Sequence, residues 1–152
     1  MCCIIIGIQM GSFADSIKAN IAEVKQEVND KITNIAVGMF RDVVQFSPSY
    51  ELHDSVWANG LLINQWYPSV GSASGQLGSQ VDQVGYQSMD RIAQLIGSSN
   101  FTSKDNTLWL TNNVPYAYQA EALGWYDTTR NQNTHPYAMV DKALTKAKGE
   151  LG

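Results

Sequence analysis

The sequence predicts an α+β domain with a long N-terminal helix packed on a small, mostly antiparallel sheet, an inserted second helix and a C-terminal helix. Three observations favour this architecture: a long apolar repeat with helical spacing near the N-terminus, short apolar segments typical of strands in the middle, and an amphipathic segment at the end. With 152 residues, the chain is expected to form a single domain, residues 1–152.

The first predicted element is a long helix over residues 12–46, where apolar side chains recur at the spacing of one helix face. The residues of this face are Ile17, Ile21, Val24, Val28, Ile32, Ile35, Met39, Val43 and Phe46. Ser12 or Asp15 can cap the start of the helix, and Pro48 is expected to end it. Residues 1–11 are expected to form an N-terminal extension.

The predicted helix is long compared with its domain. About 30 residues rising roughly 1.5 Å each give a rod of about 45 Å, whereas a compact domain of this size is about 40 Å across. The helix is therefore expected either to break, with Gly38 as its weakest point, or to pack part of its apolar face on a neighbouring subunit. Both alternatives stay open from the sequence.

The rest of the chain predicts shorter elements. The segment "SVWANGLLINQW" contains Asn59-Gly60 and predicts either a hairpin or one bulged strand. A Gly/Ser-rich loop at 68–80 is expected to be mobile. The elements that follow are a helix within 81–97, a strand "NTLWL" at 106–110, a short helical turn after Pro115, and a final helix that starts at Pro136.

The composition indicates an assembly subunit rather than a nucleic-acid or membrane protein. Charged residues make up 16% of the chain, against roughly a quarter in ordinary domains, so little of the surface is adapted to solvent. The net charge is −4 and the Lys and Arg residues are spread thinly, which excludes a basic patch for a phosphate backbone. No apolar stretch is long enough to span a membrane.

The chemical motifs in the sequence are weak. Residues 53–55, "HDS", contain the types of a catalytic triad, but sequence neighbours point away from one another. His135 with Glu121 and Asp127 could bind a metal, yet the spacing of known metal motifs is absent. The glycine-rich segment lacks the Lys-Ser/Thr of a phosphate loop. We therefore predict no catalytic residue, no metal ligand and no cofactor.

Two functions of other classes are alternatives to a structural role. Glu51 with Asp54, or Glu121 with Asp127, would suit the carboxylate pair of a small phage cell-wall hydrolase. The four Trp and seven Tyr residues would suit a carbohydrate-binding accessory. Aromatic residues more often anchor cores and interfaces, which favours the structural role.

The densest segment is "TNNVPYAYQAEALGW", residues 111–125. It contains Asn112-Asn113, then Pro115-Tyr116-Ala117, then Glu121 and Gly124. Earlier, "SPSYELHDSVW" places Leu52 and Ser55 after Ser47-Pro48, and later His135-Pro136 precedes Ala143-Leu144. This order of motifs resembles that of phage neck and tail-completion proteins, the family that includes minor tail protein Z of lambdoid phages. The resemblance covers nearly the whole chain.

The resemblance implies a structural virion protein and not an enzyme: a ring-forming subunit of the neck that joins the head-side connector to the tail. It implies a ring of identical subunits, with a hexamer favoured over a dodecamer. The neighbouring partners would be a portal-side adaptor or stopper and a tail terminator or tail tube protein. Genomic DNA would pass through the lumen without specific binding, and no membrane would be involved. A tail terminator that caps the tail tube, or the cell-wall hydrolase, is the alternative.

The expected subunit contact lies in and near the tyrosine-rich segment. The residues expected there are Tyr116, Tyr118, Glu121, Trp125 and Trp57. A tyrosine suits a partly buried contact because it combines an apolar ring with a polar hydroxyl. Glu121 can accept hydrogen bonds from backbone amides or pair with an Arg or Lys of the neighbour. The loop from Gly71 to Gly85 is expected to face a partner or the lumen.

Overall fold

A computed structural model describes residues 11–48, 60–79, 81–82, 84–98, 107–124, 126–127, 131–133 and 135–151. The elements in chain order are α1 (Gly11–Phe46), α2 (Leu61–Asn64), β1 (Trp66–Val70), α3 (Tyr86–Ser98), β2 (Leu108–Asn112), a π-helical turn (Gln119–Leu123), β3 (Tyr126–Asp127), β4 (Gln132–Asn133) and α4 (Met139–Leu151). This confirms the predicted α+β fold with a long first helix, a small antiparallel sheet, a second helix and a C-terminal helix.

Helix α1 is continuous over 36 residues and does not break at Gly38. At 1.5 Å per residue it is about 54 Å long. The predicted end at Pro48 is confirmed, since the helix stops at Phe46 and Ser47 closes it. The Ser47 amide donates to the Val44 carbonyl at 3.1 Å, and its hydroxyl donates to the Val43 carbonyl at 2.9 Å.

The sheet is formed by β1 and β2, which pair antiparallel from Trp66 opposite Asn112 to Val70 opposite Leu108. The apolar segment before β1 does not continue the strand backward. Gly60 has a positive φ of 79° and leads into the short helix α2. The glycine of the predicted Asn59-Gly60 hairpin thus leads into a helical turn, while Asn59 lies outside the described residues.

The core lies where the C-terminal half of α1 meets α2, α3, β1 and α4. Its buried apolar residues are Phe40, Val43, Val44, Leu62, Ile63, Trp66, Ile92, Val114, Ala120, Met139 and Ala143. Helix α4 faces α1 with Met139, Ala143 and Ala147, and its two small alanines allow the helices to approach closely. Lys146 adds an ion pair, with its ammonium 2.7 Å from the Asp42 carboxylate.

Helix α3 starts later than its apolar pattern predicts. The helix begins at Tyr86, so Val81 and Val84 precede it and are exposed. The Asp82 carboxylate accepts hydrogen bonds from the amides of Val84 and Gly85 at 3.0 and 2.5 Å. Because Gly85 has a positive φ of 75°, the chain turns there before it becomes helical.

The glycine-rich loop is held by the strand that follows it in sequence. Strand β1 includes residues 68–70, so the loop begins at Gly71. The Thr111 hydroxyl donates to the Ser74 carbonyl at 3.1 Å, and the side-chain amide of Asn113 donates to the same carbonyl at 2.9 Å. Gly78 donates its amide to the buried Gln65 side chain at 2.6 Å. These hydrogen bonds hold the backbone of a loop whose composition predicts mobility.

Candidate assembly surface

The N-terminal half of α1 lies outside the core. Every side chain from residue 13 to residue 28 is exposed, and partial burial begins at Asn29. This part of the helix extends about 24 Å at 1.5 Å per residue. We name it the α1 arm, residues 13–28.

The α1 arm carries a row of exposed apolar side chains. Its members are Phe13, Ile17, Ile21, Val24 and Val28, and Ile32 continues the row toward the core. Phe13 is 73% exposed and Val24 is 58% exposed. Single exposed apolar residues are common on proteins, but a contiguous row of them is typical of an interaction site.

Further along α1, the face that carries this row packs against the core. Met39 and Phe46 continue its spacing and pack against the buried cluster. Helices α3 and α4 contact α1, yet each side chain of the arm, from residue 13 to residue 28, is exposed. Among the described residues, one face of α1 is therefore covered near its C-terminal end and exposed along the arm. An open apolar surface on the arm is lined by Ile17, Asn20, Ile21, Val24 and Lys25.

A second exposed apolar region precedes and begins α3. Its members are Leu77, Val81, Val84 and Tyr86, and Tyr86 is 69% exposed. Leu77, Val81 and Val84 fall within the Gly71 to Gly85 loop, and Tyr86 follows it directly. That this loop faces a partner or the lumen stays a prediction. Asp82 fixes the backbone between these residues. Burial raises the pKa of Asp82, but hydrogen bonds from the amides of Val84, Gly85 and Tyr86 outweigh it and hold the pKa below 3.8.

The tyrosine-rich segment divides into a buried and an exposed part. Tyr116 is partly buried and packs against the core cluster, and this burial raises the pKa of its hydroxyl. Tyr118 is 72% exposed, and Leu123 in the same turn is also exposed. Tyr118 is therefore accessible to a partner, while Tyr116 serves the core of its own subunit.

Glu121 accepts hydrogen bonds from backbone amides of its own chain, one of the two alternatives that the sequence left open. Its carboxylate accepts hydrogen bonds from the amides of Met139 at 2.7 Å and Val140 at 3.1 Å. These are the first two residues of α4, so Glu121 supplies the acceptors that the start of the helix needs. Its backbone carbonyl also accepts the Ala138 amide at 3.1 Å. A contact between Glu121 and a second subunit stays a prediction.

Several sequence candidates lie outside the described residues. These are Trp57 and Trp125 of the expected contact, and Glu51, His53, Asp54 and Ser55 of the weak chemical motifs. His135 is exposed. Among the described residues, no three His, Cys, Asp or Glu side chains are grouped to hold a metal ion. No helix in the described part of the chain is long and apolar enough to cross a membrane.

The structure also reveals a polar cluster that anchors α3 to β1. Arg91 donates to the Asn64 carbonyl at 2.6 Å, and its guanidinium carbon lies 4.2 Å from the centre of the Tyr67 ring. The buried Asn64 amide donates to the carbonyls of Gly60 and Asp82, both at 2.7 Å. These residues are far apart in sequence, so no local sequence pattern predicts their contacts. The cluster stabilises the packing of α2, α3 and β1.

Comparison of the chain with models of known protein families, with curated proteins and with solved structures gives no match.

Proposed function

We propose that this protein is a structural subunit of a bacteriophage neck. In this role, identical copies form a ring, a hexamer or less favourably a dodecamer, that joins the head-side connector to the tail and completes the virion. The proposal combines the motif resemblance with the geometry of the described residues. The observation that carries it is the α1 arm, whose apolar row is exposed and is not covered by the other described residues.

The arm favours an assembly role for an energetic reason. Exposing a row of large apolar side chains forfeits roughly 25 cal/mol for each Å² that burial would remove from water. A second protein surface recovers this free energy, whereas a monomer does not. In a ring, each subunit offers one surface to one neighbour and a different surface to the other. The exposed regions around Tyr118 and around Val84 offer such further surfaces.

The charge of the protein agrees with a neck that DNA crosses. The net charge is −4, and a wall of the same sign as the phosphate backbone keeps the duplex from binding. The other partners would be a portal-side adaptor or stopper on one side and a tail terminator or tail tube protein on the other. In the proposed role the protein acts in the virion after synthesis in the host cytoplasm.

The experiment that tests this role combines the mass of the protein in solution with its copy number in virions. Multi-angle light scattering gives the mass of the purified full chain over a range of concentrations. Quantitative mass spectrometry gives its copy number in virions of the phage that encodes it. We expect a closed ring in solution, or a monomer that is present in virions at about six or twelve copies. A monomer that is absent from virions would overturn the proposal, and a cell-wall hydrolysis assay would follow.

A further inference from the structure

We propose that the α1 arm docks on the α1 arm of a second copy of this chain, with the two helices running in the same direction. The inference rests on the proposed ring and specifies the face that subunits share and their relative orientation. Three features of the arm carry it: its uncovered apolar row, the charges on the two edges of that row, and its length.

Packing against the other described residues contributes little to the stability of the arm. Each of its side chains, from residue 13 to residue 28, is exposed to solvent. Helices of about 12–15 residues are marginal in water on their own, and most helices in proteins are stabilised by packing of an apolar face. The row of Ile17, Ile21, Val24 and Val28 advances by three or four residues, as does the contact face of paired helices.

The two edges of the row carry different charges. With about 100° between successive residues, Lys18 and Lys25 lie along one edge. Asn20, Glu27 and Lys31 lie along the other edge, where the charges of Glu27 and Lys31 offset one another. One edge is therefore basic and the other is neutral.

This asymmetry selects the orientation of a second copy. Two arms in opposite directions would place the basic edge of one against the basic edge of the other, so that Lys18 would face Lys25 and like charges would repel. Two arms in the same direction place the basic edge against the edge that carries Asn20 and Glu27, which can accept hydrogen bonds. Rotation about a ring axis also keeps neighbouring subunits pointing the same way.

The arm contact is too small to hold a ring by itself. Stable interfaces bury about 800 Å² on each partner, more than one row of five or six side chains provides. The other exposed regions therefore contribute to the ring, and the arm contact alone is weak. A covalent trap that accumulates weak contacts is the appropriate measurement.

The experiment traps neighbouring arms by disulfide formation in the full chain. Cys2 and Cys3 are first replaced by serine, and Ile17→Cys is compared with Ala19→Cys, which is also exposed but lies on the opposite face of the helix. Ile17→Cys is expected to form disulfide-linked dimers about tenfold faster or more, because docking raises the effective concentration of the facing thiols. A mixture of Ile17→Cys and Val28→Cys proteins tests the opposite orientation.

Each outcome decides the inference. Fast linkage of Ile17→Cys to itself, with little linkage between positions 17 and 28, supports docking in the same direction. Preferred linkage between positions 17 and 28 overturns the orientation, and equal rates for Ile17→Cys and Ala19→Cys overturn the docking face. A ring seen by light scattering with equal cysteine rates would leave the neck role standing without this contact. If Ile17→Cys is linked preferentially but the protein is absent from virions, the arm contact stands and the neck role fails.

Discussion

The indole Nε1 of Trp66 donates a hydrogen bond to the Ser47 hydroxyl at 2.8 Å, which ties the first residue of β1 to the residue after α1. The Ser47 hydroxyl in turn donates a hydrogen bond to the Val43 carbonyl at 2.9 Å. Both side chains are buried, Trp66 at 6% and Ser47 at 4% exposure. This pair links the C-terminal end of the long helix to the start of the sheet.

Ser47→Ala is expected to lower the free energy of unfolding by about 1–3 kcal/mol, because the buried indole N–H loses its partner. Urea denaturation followed by far-UV circular dichroism measures the change. Ser69→Ala is the matched control, since the Ser69 hydroxyl donates to the Ser72 carbonyl at an exposed site, and it should change stability by about 0.5 kcal/mol or less. Equal losses for both variants would contradict the assigned role of Ser47.

Glu121→Ala is expected to lower the free energy of unfolding by about 1 kcal/mol, because α4 loses the acceptor for its first amides. Glu121→Gln keeps an acceptor oxygen and should lose less. Glu23→Ala, an exposed carboxylate on the α1 arm, is the control for the loss of one negative charge. If Glu121→Ala left stability unchanged but weakened self-association, Glu121 would act at the subunit contact and not as the cap of α4.

Gly38→Ala is expected to raise the free energy of unfolding by about 0.5–1 kcal/mol, because alanine favours the helix that glycine disfavours. A β-carbon at this position would meet no atom within 4 Å. Gly60→Ala should act in the opposite direction, since its φ is 79° and its β-carbon would overlap the Asp82 carbonyl. Thermal unfolding of the two variants distinguishes them. A destabilising Gly38→Ala would indicate that α1 bends at Gly38 after all.

Asp82 is expected to make stability depend on pH at the acidic end. Hydrogen bonds from the amides of Val84, Gly85 and Tyr86 outweigh the opposing effect of burial and hold its pKa below 3.8. The ionised carboxylate therefore stabilises the fold above about pH 3.8, and this contribution is lost as the pH falls through the folded-state pKa. Melting temperatures measured from pH 6 to pH 2 should show the loss.

Asp82→Asn removes the titrating group and should flatten this part of the profile, with a lower melting temperature near neutral pH. Asp90→Asn, an exposed residue of α3, is the control and should leave the shape of the profile unchanged. Parallel profiles for the wild type and Asp82→Asn would show that the cap of α3 does not depend on the charge.

Part of the candidate surface could be predicted from the sequence. The apolar period predicts the row from Ile17 to Phe46 and leaves open whether it is covered by the same domain or by a neighbour. The apolar period does not distinguish these two cases, because the same side chains can pack on their own domain or on a neighbouring subunit. The predicted row begins at Ile17 and omits Phe13, which lies one helical turn earlier and is the most exposed apolar residue of the arm.

The sequence by itself determined the helices α1 and α4, the stop at Pro48 and the strand before Asn113, because helical period, proline geometry and strand composition are local properties. Only the tertiary structure decided which half of α1 is buried, that Glu121 closes α4, and that Asn113 holds the glycine-rich loop. These contacts join residues that are far apart in sequence. They exist only once α3, α4 and the sheet have packed around one end of the first helix.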